Sequence, residues 1–492
     1  MAFDMDRLET LVPNRKLYFG GAWHTPQKGE SQASTDPATG AALGQIAQAC
    51  AADADAAVRA AQEGYKYWRK VAPAERAKTL RAMAQVIRAN ADDLAWLDAI
   101  DGGSPISKMR SDVEIAASRL DYFAGLVTEM KGDTLPSRDG TATYTRREPL
   151  GVVVRIVAFN HPLMFTASRL AAPLLAGNAC IVKPPEQASL SALRLAELIG
   201  PLLPQGVFGL LTGGAQTGAA LARHPDVAMV GLVGSVPAGQ AVYRAGSDGM
   251  KRVLLELGGK NALIAFDDAD PKAVAQAMVD GMNFTWCGQS CGSTSRAFVH
   301  EAIHDEVVAE VQRCVAQIVP GLPTDPATKM GALIDHAHRD RVMAAIATAQ
   351  AEGARLVCGG TPPTDAALSK GAFLSPTVFA DVTHDMRIAR EEIFGPVLGI
   401  LKFDDTARVI EQVNDSPFGL TCSIWTNDLA RAHRTADAVE TGYVWVNDVS
   451  KHFVGAPFGG RKSSGIGREE CLGELLFFTE EKTVHINYSG ER

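Results

Sequence analysis

At 492 residues the chain is too long for one hydrophobic core and predicts two or three domains. Apolar residues make up 46% and charged residues 21%, ordinary values for a soluble globular protein. The formal net charge of -8 argues against a nucleic-acid binder, because phosphate contact needs a basic face. The N-terminal stretch MAFDMDRLETL has early acids and no long apolar run, so it does not read as a secretory signal. Eight cysteines spread over this length do not form a disulfide framework, and a reducing cytoplasm is the default.

Residues 51–131 carry helical patterning, with apolar residues every three or four positions in DADAAVRAAQEGYKYWRK and AERAKTLRAMAQVIRANADDLAWLDA. TATYTRREP, Thr141 to Pro149, alternates polar and apolar residues. It predicts an arm or hairpin outside the main sheet, whose exposed edge invites pairing with another subunit. LGVVVRIVAF is short and broken by Arg155, so it predicts a buried strand rather than a membrane span. From there short apolar runs (GVVVRIVAF, ACIVKP, GLLTG, AMVGLVGS) alternate with helix-like stretches, which predicts a parallel sheet covered on both faces. The alternation resumes in NALIAF, SRAFVH, AIHDEVVAEVQRCVAQI, ARLVCGG, ILKF and YVWVN, predicting a second α/β domain. The C-terminal EKTVHINYSGER is a second candidate for the arm.

Three turns suit a cofactor. LLTGGAQTGAALARH places Gly213, Gly214 and Gly218 between a strand and a helix, although it is not the G-x-G-x-x-G fingerprint and reads equally as a plain turn. VGSVPAG has Gly234, Ser235 and Gly239 at another strand-to-helix junction, where backbone N–H groups and a hydroxyl could hold a pyrophosphate. In IVKPPEQ, Lys183 and Glu186 follow a buried strand. A donor and an acceptor there suit adenosine ribose hydroxyls, while an isolated pair of this kind is more often a solvated loop feature.

WCGQSCGSTSR sets Cys287 and Cys291 four positions apart. A metal site would need further Cys or His at ligand spacing nearby, and none is present. His336 and His338 lie in a helical, charged stretch and read as solvated surface residues. A redox couple does not match the usual two-residue spacing. The remaining reading is one nucleophilic thiol in a glycine-bearing turn, whose backbone N–H groups could stabilise an oxyanion. Glu256, in LLELGGKN, follows an apolar strand and could serve as its base, though a lone carboxylate beside glycines is more often a solvated loop acid.

AFNHP, AGNACIVKPPE, GSVPAG, LELGGKN, GQSCGSTSR, EEIFGPV and PFGGRKSSGIGRE follow one another in a known order. On these motifs the chain resembles the NAD(P)-dependent aldehyde dehydrogenase superfamily, from about residue 15 to 485. The resemblance implies an α/β fold with a Rossmann-type dinucleotide-binding domain (1–128 and 149–258) and an α/β catalytic domain (259–465). Segments 129–148 and 466–492 would form a small β oligomerisation arm. It implies Cys291 as nucleophile, Glu256 as general base for the deacylating water, and Asn160 as a partner in the oxyanion hole. It places Lys183 and Glu186 at the adenosine ribose, Ser235 with Gly214 and Gly234 near the pyrophosphate, and Glu392 and Phe394 at the nicotinamide ribose and ring. It also implies Leu257 as a further cofactor contact. The implied reaction is oxidation of an aldehyde to the carboxylic acid through a thiohemiacetal and a thioester on Cys291, in a cytoplasmic homodimer or homotetramer without a metal or membrane contact.

Some residues depart from the family pattern. Arg169 stands where lysine is common; it keeps the charge but cannot give up its proton, so a structural ion pair is expected there. Cys287 falls where the family has no functional cysteine, and Thr285 replaces a common asparagine. Pro185 lacks a hydroxyl, and Glu186 would repel a 2′-phosphate, so NAD is expected over NADP, whose use stays open. By resemblance His161, Met164, Phe165, Ser168, Trp286 or Cys287, Ser290, Phe453 and Phe458 surround the substrate. The rings predict an apolar channel for a medium aliphatic or aromatic aldehyde, unless several of them are simply core. His161 is either a substrate contact or a packed, satisfied histidine. The competing readings are a CoA-acylating semialdehyde dehydrogenase, which has less use for Glu256, and a non-catalytic protein on the same scaffold.

Overall fold

The computed structural model describes residues 4–490. The helical patterning after residue 50 resolves into Ala51–Trp68, Pro73–Ala89, Ala91–Gly102 and Ile106–Gly125. Local chemistry sets their ends. Asp53 reaches back to accept from Cys50 N at 2.9 Å, Pro73 opens the second helix, and Gly103 at φ +80 stops the third. Gly64 lies inside the first helix because any side chain there would strike the backbone of Gly206.

The first large sheet runs, in spatial order, Ala22–His24, Leu17–Phe19, Phe208–Leu210, Ala179–Lys183, Val152–Ile156, Val227–Val233, Arg252–Glu256 and Gly465–Ile466. Its five central strands, Phe208–Leu210 through Arg252–Glu256, are parallel, and the outer pairings are antiparallel. Val152–Val154 and Ala179–Val182 are each 2% exposed or less, which explains continuous apolar runs rather than alternation. The second sheet runs Arg355–Cys358, Thr377–Ala380, Val397–Phe403, Arg296–His300, Ala262–Ala265, Thr421–Trp425 and Tyr443–Val446, parallel except at its first strand. Each sheet has its own buried apolar cluster. This is a mixed α/β fold, as the alternating texture predicts.

Thr141–Pro149 forms an arm, but its partner is the C-terminal segment of the same chain: Thr479–Asn487 pairs with it antiparallel along its length. The outer strand Thr479–Asn487 is largely exposed. Between the second sheet and the arm, Gly465–Ile466 returns to the first sheet and pairs with Leu255 and Glu256. The chain then carries Glu469, Glu470 and Glu474 beneath the end of the Glu256 strand. No helix of the described residues is long and apolar enough to cross a membrane.

Candidate active site

Two cavities share part of their walls. One, of about 660 Å³, lies over the C-terminal ends of the first sheet's parallel strands; the other, of about 770 Å³, is walled by the Ile106–Gly125 helix and the Asn283–Gly292 turn. Cys291 and Glu256 line both. Glu256 gets there as the last residue of its strand, beyond which the Gly258–Gly259 turn opens.

The Cys291 turn is tied to other segments of the chain by side-chain hydrogen bonds. Asn261 Nδ2 donates to the carbonyl oxygens of Cys291 (2.6 Å) and Ser293 (3.0 Å), while its Oδ1 accepts from Thr421 N at 3.1 Å. Gln289 Oε1 accepts from Ile334 N at 3.0 Å. Asn261 and Gln289 are positioning residues that the motif reading passed over, although both sit inside quoted motifs. Cys287 is fully buried with its thiol donating to Ala332 O at 3.3 Å; burial pushes that thiol up to about 12. It lines neither cavity, so of the two residues named for that position Trp286, not Cys287, lines the 770 Å³ cavity.

Burial raises the Cys291 thiol well above its ordinary value, and the Glu256 carboxylate adds to the effect. Burial likewise raises Glu256, to about 8, with Glu469 reinforcing the shift and hydrogen bonding from Cys291 and the charge of Arg169 opposing it. Thiol and carboxyl are therefore coupled, each shifting the hold of the other on its proton. Behind them lies an ionic network. Arg169 Nη2 is 2.6 Å from Glu469 Oε2, Arg155 bonds the same carboxylate through Oε1, and Arg119 pairs with Glu470 at 2.6 Å. Arg169 is thus the ion-pair residue expected from the sequence. Burial alone would pull its guanidinium down, but Glu469, Glu474, Glu470 and Glu256 hold it up.

The 660 Å³ cavity collects Asn160, Lys183, Glu186, Gly214, Gly234, Ser235, Glu392 and Phe394. Asn160 is 5% exposed and no described group hydrogen-bonds its side chain, which leaves its amide free to donate. Burial draws Lys183 down to about 8, and Glu186 opposes the shift. Gly214 leaves room for the end of the Glu186 side chain, whose Oε2 would crowd a Cβ at that position. Ser235 caps the Val236–Ser247 helix, accepting from Ala238 N at 3.4 Å, so that helix N-terminus opens into the cavity. Glu392 Oε1 accepts from Gly259 N at 3.1 Å, and burial raises its carboxyl to about 7. A buried lysine, a carboxylate, a glycine shelf and an open helix N-terminus form a donor set that fits a dinucleotide. Leu257 does not join them. Its side chain turns into the apolar cluster and packs over Gly239, because neighbours along an extended chain face opposite ways.

His338 needs correction. It is 5% exposed and lines this cavity with Arg341, whereas His336 is exposed as expected. Burial lowers the His338 imidazole. The helix His336–Ala351 presents its first turn to the Glu392–Phe394 loop, and a charged helical stretch carries no local mark of that docking.

The 770 Å³ cavity holds His161, Phe165, Ser290 and Phe458, together with Met164, Trp286, Trp445 and Val454. Phe453 is 60% exposed, and its neighbour Val454 takes the wall position. His161 is both satisfied and on the wall: Nδ1 bonds Asp112 Oδ2 at 2.7 Å, and the ring lies 5.4 Å from both Phe165 and Trp286. His452 is set similarly, with Nδ1 3.1 Å from Glu470 Oε2. Lys108, above the Trp286 ring at 5.4 Å, adds a cation at the wall. The channel is aromatic but less apolar than expected.

Comparison with known proteins agrees with this geometry. The family model for the aldehyde dehydrogenase family matches residues 23–484. The chain is 49% identical over 498 residues to aldehyde dehydrogenase tropH of Talaromyces stipitatus, covering 100% of this chain and 97% of that protein. An NAD+ complex of an aldehyde dehydrogenase from Bacillus cereus superposes with a TM-score of 0.94 at 35% identity, covering 98% of each chain. A betaine aldehyde dehydrogenase from Staphylococcus aureus does so at 0.96 and 30%, covering 100% of this chain and 99% of that one. With a thiol and a carboxyl on the walls of both cavities, and the family's fold around them, the chain belongs to the aldehyde dehydrogenase family.

Proposed function

We propose that the protein oxidises an aldehyde to its carboxylic acid with NAD, through a thioester on Cys291 that water hydrolyses. The observation that carries this is the position of Cys291 and Glu256 on the walls of both cavities. Cys291 adds to the carbonyl carbon as its proton passes to the neighbouring carboxyl, and Asn160 with the Cys291 backbone N–H stabilises the oxyanion. NAD, when bound, supplies the hydride acceptor. Lys183 and Glu186 would hold its adenosine ribose, Ser235 with Gly214 and Gly234 its pyrophosphate, and Glu392 and Phe394 its nicotinamide half. Glu256 gives up the thiol's proton to solvent and, ionised again, takes a proton from water, which attacks the thioester and releases the acid. Glu186, with its carboxylate against Gly214, disfavours a 2′-phosphate and supports NAD over NADP.

Phe165, Trp286, Trp445 and Phe458 support a medium aliphatic or aromatic aldehyde as substrate. Residues 1–128 and 149–258 are assigned to dinucleotide binding and 259–465 to catalysis. The arm, with its exposed outer strand, is assigned to assembly into a homodimer or homotetramer. The test is a panel of aldehydes with NAD and NADP, read at the reduced-nicotinamide band, with CoA present or absent. NADH formation unaffected by CoA is expected. No turnover with any aldehyde, or an absolute requirement for CoA, would overturn the proposal.

A further inference from the structure

Phe394 has φ +55, a left-handed backbone that a bulky residue adopts only under constraint. The constraint comes from His338. Its Nε2 lies 2.7 Å from Phe394 O, and Arg341 Nη2 lies 3.0 Å from its Nδ1. A carbonyl oxygen only accepts and a guanidinium only donates, so the two neighbours select one neutral tautomer: Nε2–H donates to Phe394, and Nδ1 accepts from Arg341. Asp335 fixes the start of the helix by accepting from His338 N at 2.6 Å. One turn on, Val342 packs so closely on Gly395 that a Cβ there would lie 2.6 Å from Val342 Cγ2. Positions 338, 341 and 342 thus present one helix face to the Phe394–Gly395 turn. The Phe394 ring meets Phe159 edge-on at 5.7 Å, and both line the cavity assigned to the dinucleotide.

We propose that His338 is a positioning residue for cofactor binding: its Nε2–H clamps the Phe394 carbonyl, holds the left-handed turn, and so places the Phe394 ring in the cavity. This rests on the assignment of that cavity to NAD. The clamp acts only at the Phe394 end. A ligand that lacks the nicotinamide ring therefore should not sense it, which separates the clamp from a general effect on folding.

The experiment measures binding of NAD and of ADP-ribose to the full-length protein by calorimetry. His338→Ala should weaken NAD about tenfold, the loss of one buried hydrogen bond, and leave ADP-ribose unchanged. His338→Gln should recover most of the NAD affinity, because its amide nitrogen reaches the place of Nε2. In a Phe394→Gly background, where glycine adopts the left-handed turn without help, His338→Ala should cause no further loss. Unchanged NAD affinity in His338→Ala, an equal loss of NAD and ADP-ribose, or a further tenfold loss in the Phe394→Gly background would each overturn the clamp. A wild-type protein that binds neither ligand would instead overturn the assignment of the cavity, and the clamp with it.

Discussion

Arg169 and Glu469 form a buried ion pair, Nη2 to Oε2 at 2.6 Å, and the same guanidinium lowers the Glu256 carboxyl against the effect of burial. The C-terminal segment that carries Glu469 is thereby coupled to the Glu256 carboxyl at the end of a distant strand.

Arg169→Met leaves part of that network uncompensated and should cost roughly 3–5 kcal/mol in urea unfolding. It should also move the alkaline rise in kcat to higher pH, since the charge that favours ionised Glu256 is gone. Arg169→Lys keeps the charge and should keep the pH profile near that of the wild type. A profile unmoved in Arg169→Met would uncouple Arg169 from the base.

Glu256 has an ordinary value of 4.5 and is raised by burial to about 8. As the base must be ionised, kcat should rise through about pH 8, and Glu256→Gln should abolish that limb and let an acyl-enzyme accumulate, visible by mass spectrometry. Stability follows with the opposite sign. Below pH 4.5 the carboxyl is protonated in both the folded and unfolded chain. From there to about pH 8 the unfolded chain releases a proton that the folded chain retains, so stability falls as pH rises. Glu256→Gln should accordingly raise Tm at pH 8 and leave it unchanged at pH 4.

Cys291→Ser should remove NADH production with every aldehyde. Cys287→Ser should retain most activity, because a hydroxyl can still donate to Ala332 O. Alkylation of the native protein followed by peptide mapping should label Cys291 well before Cys287. Equal losses in the two serine variants would show that Cys287 takes part in the reaction.

Asn261→Ala removes the donor to the Cys291 carbonyl and leaves Thr421 N without its acceptor. Loss of these buried bonds should lower kcat by about tenfold to a hundredfold, while the Kd for NAD stays within about twofold. A fall confined to NAD affinity would place the role of Asn261 elsewhere.

Residues whose roles depend on local backbone geometry were legible in the chain. Glu256 and Lys183 end apolar strands, and Ser235 caps a helix. Cys291 lies in a glycine-bearing turn, and the family's motif order joins these sites. Each such signal spans a few residues, because strand ends and caps are set by neighbouring φ/ψ preferences and hydrogen bonds. The same local pattern said nothing about which way a side chain turns against a distant element. Leu257 faces the core and Phe453 faces solvent, one position away from residues that do line the cavities.

The alternating texture pointed to an α/β fold, and the motifs singled out Cys291, Glu256 and Asn160 for the chemistry proposed above. Only tertiary structure decided that the Gly465–Ile466 strand returns to Leu255 and Glu256, bringing Glu469 to Arg155 and Arg169. Only it turned His338 from a residue that reads as surface into one seated under Phe394. The physical reason is the same in both cases: burial, ion pairing and tautomer are set by groups far apart along the chain, and a sequence pattern records each group without recording which others it will meet.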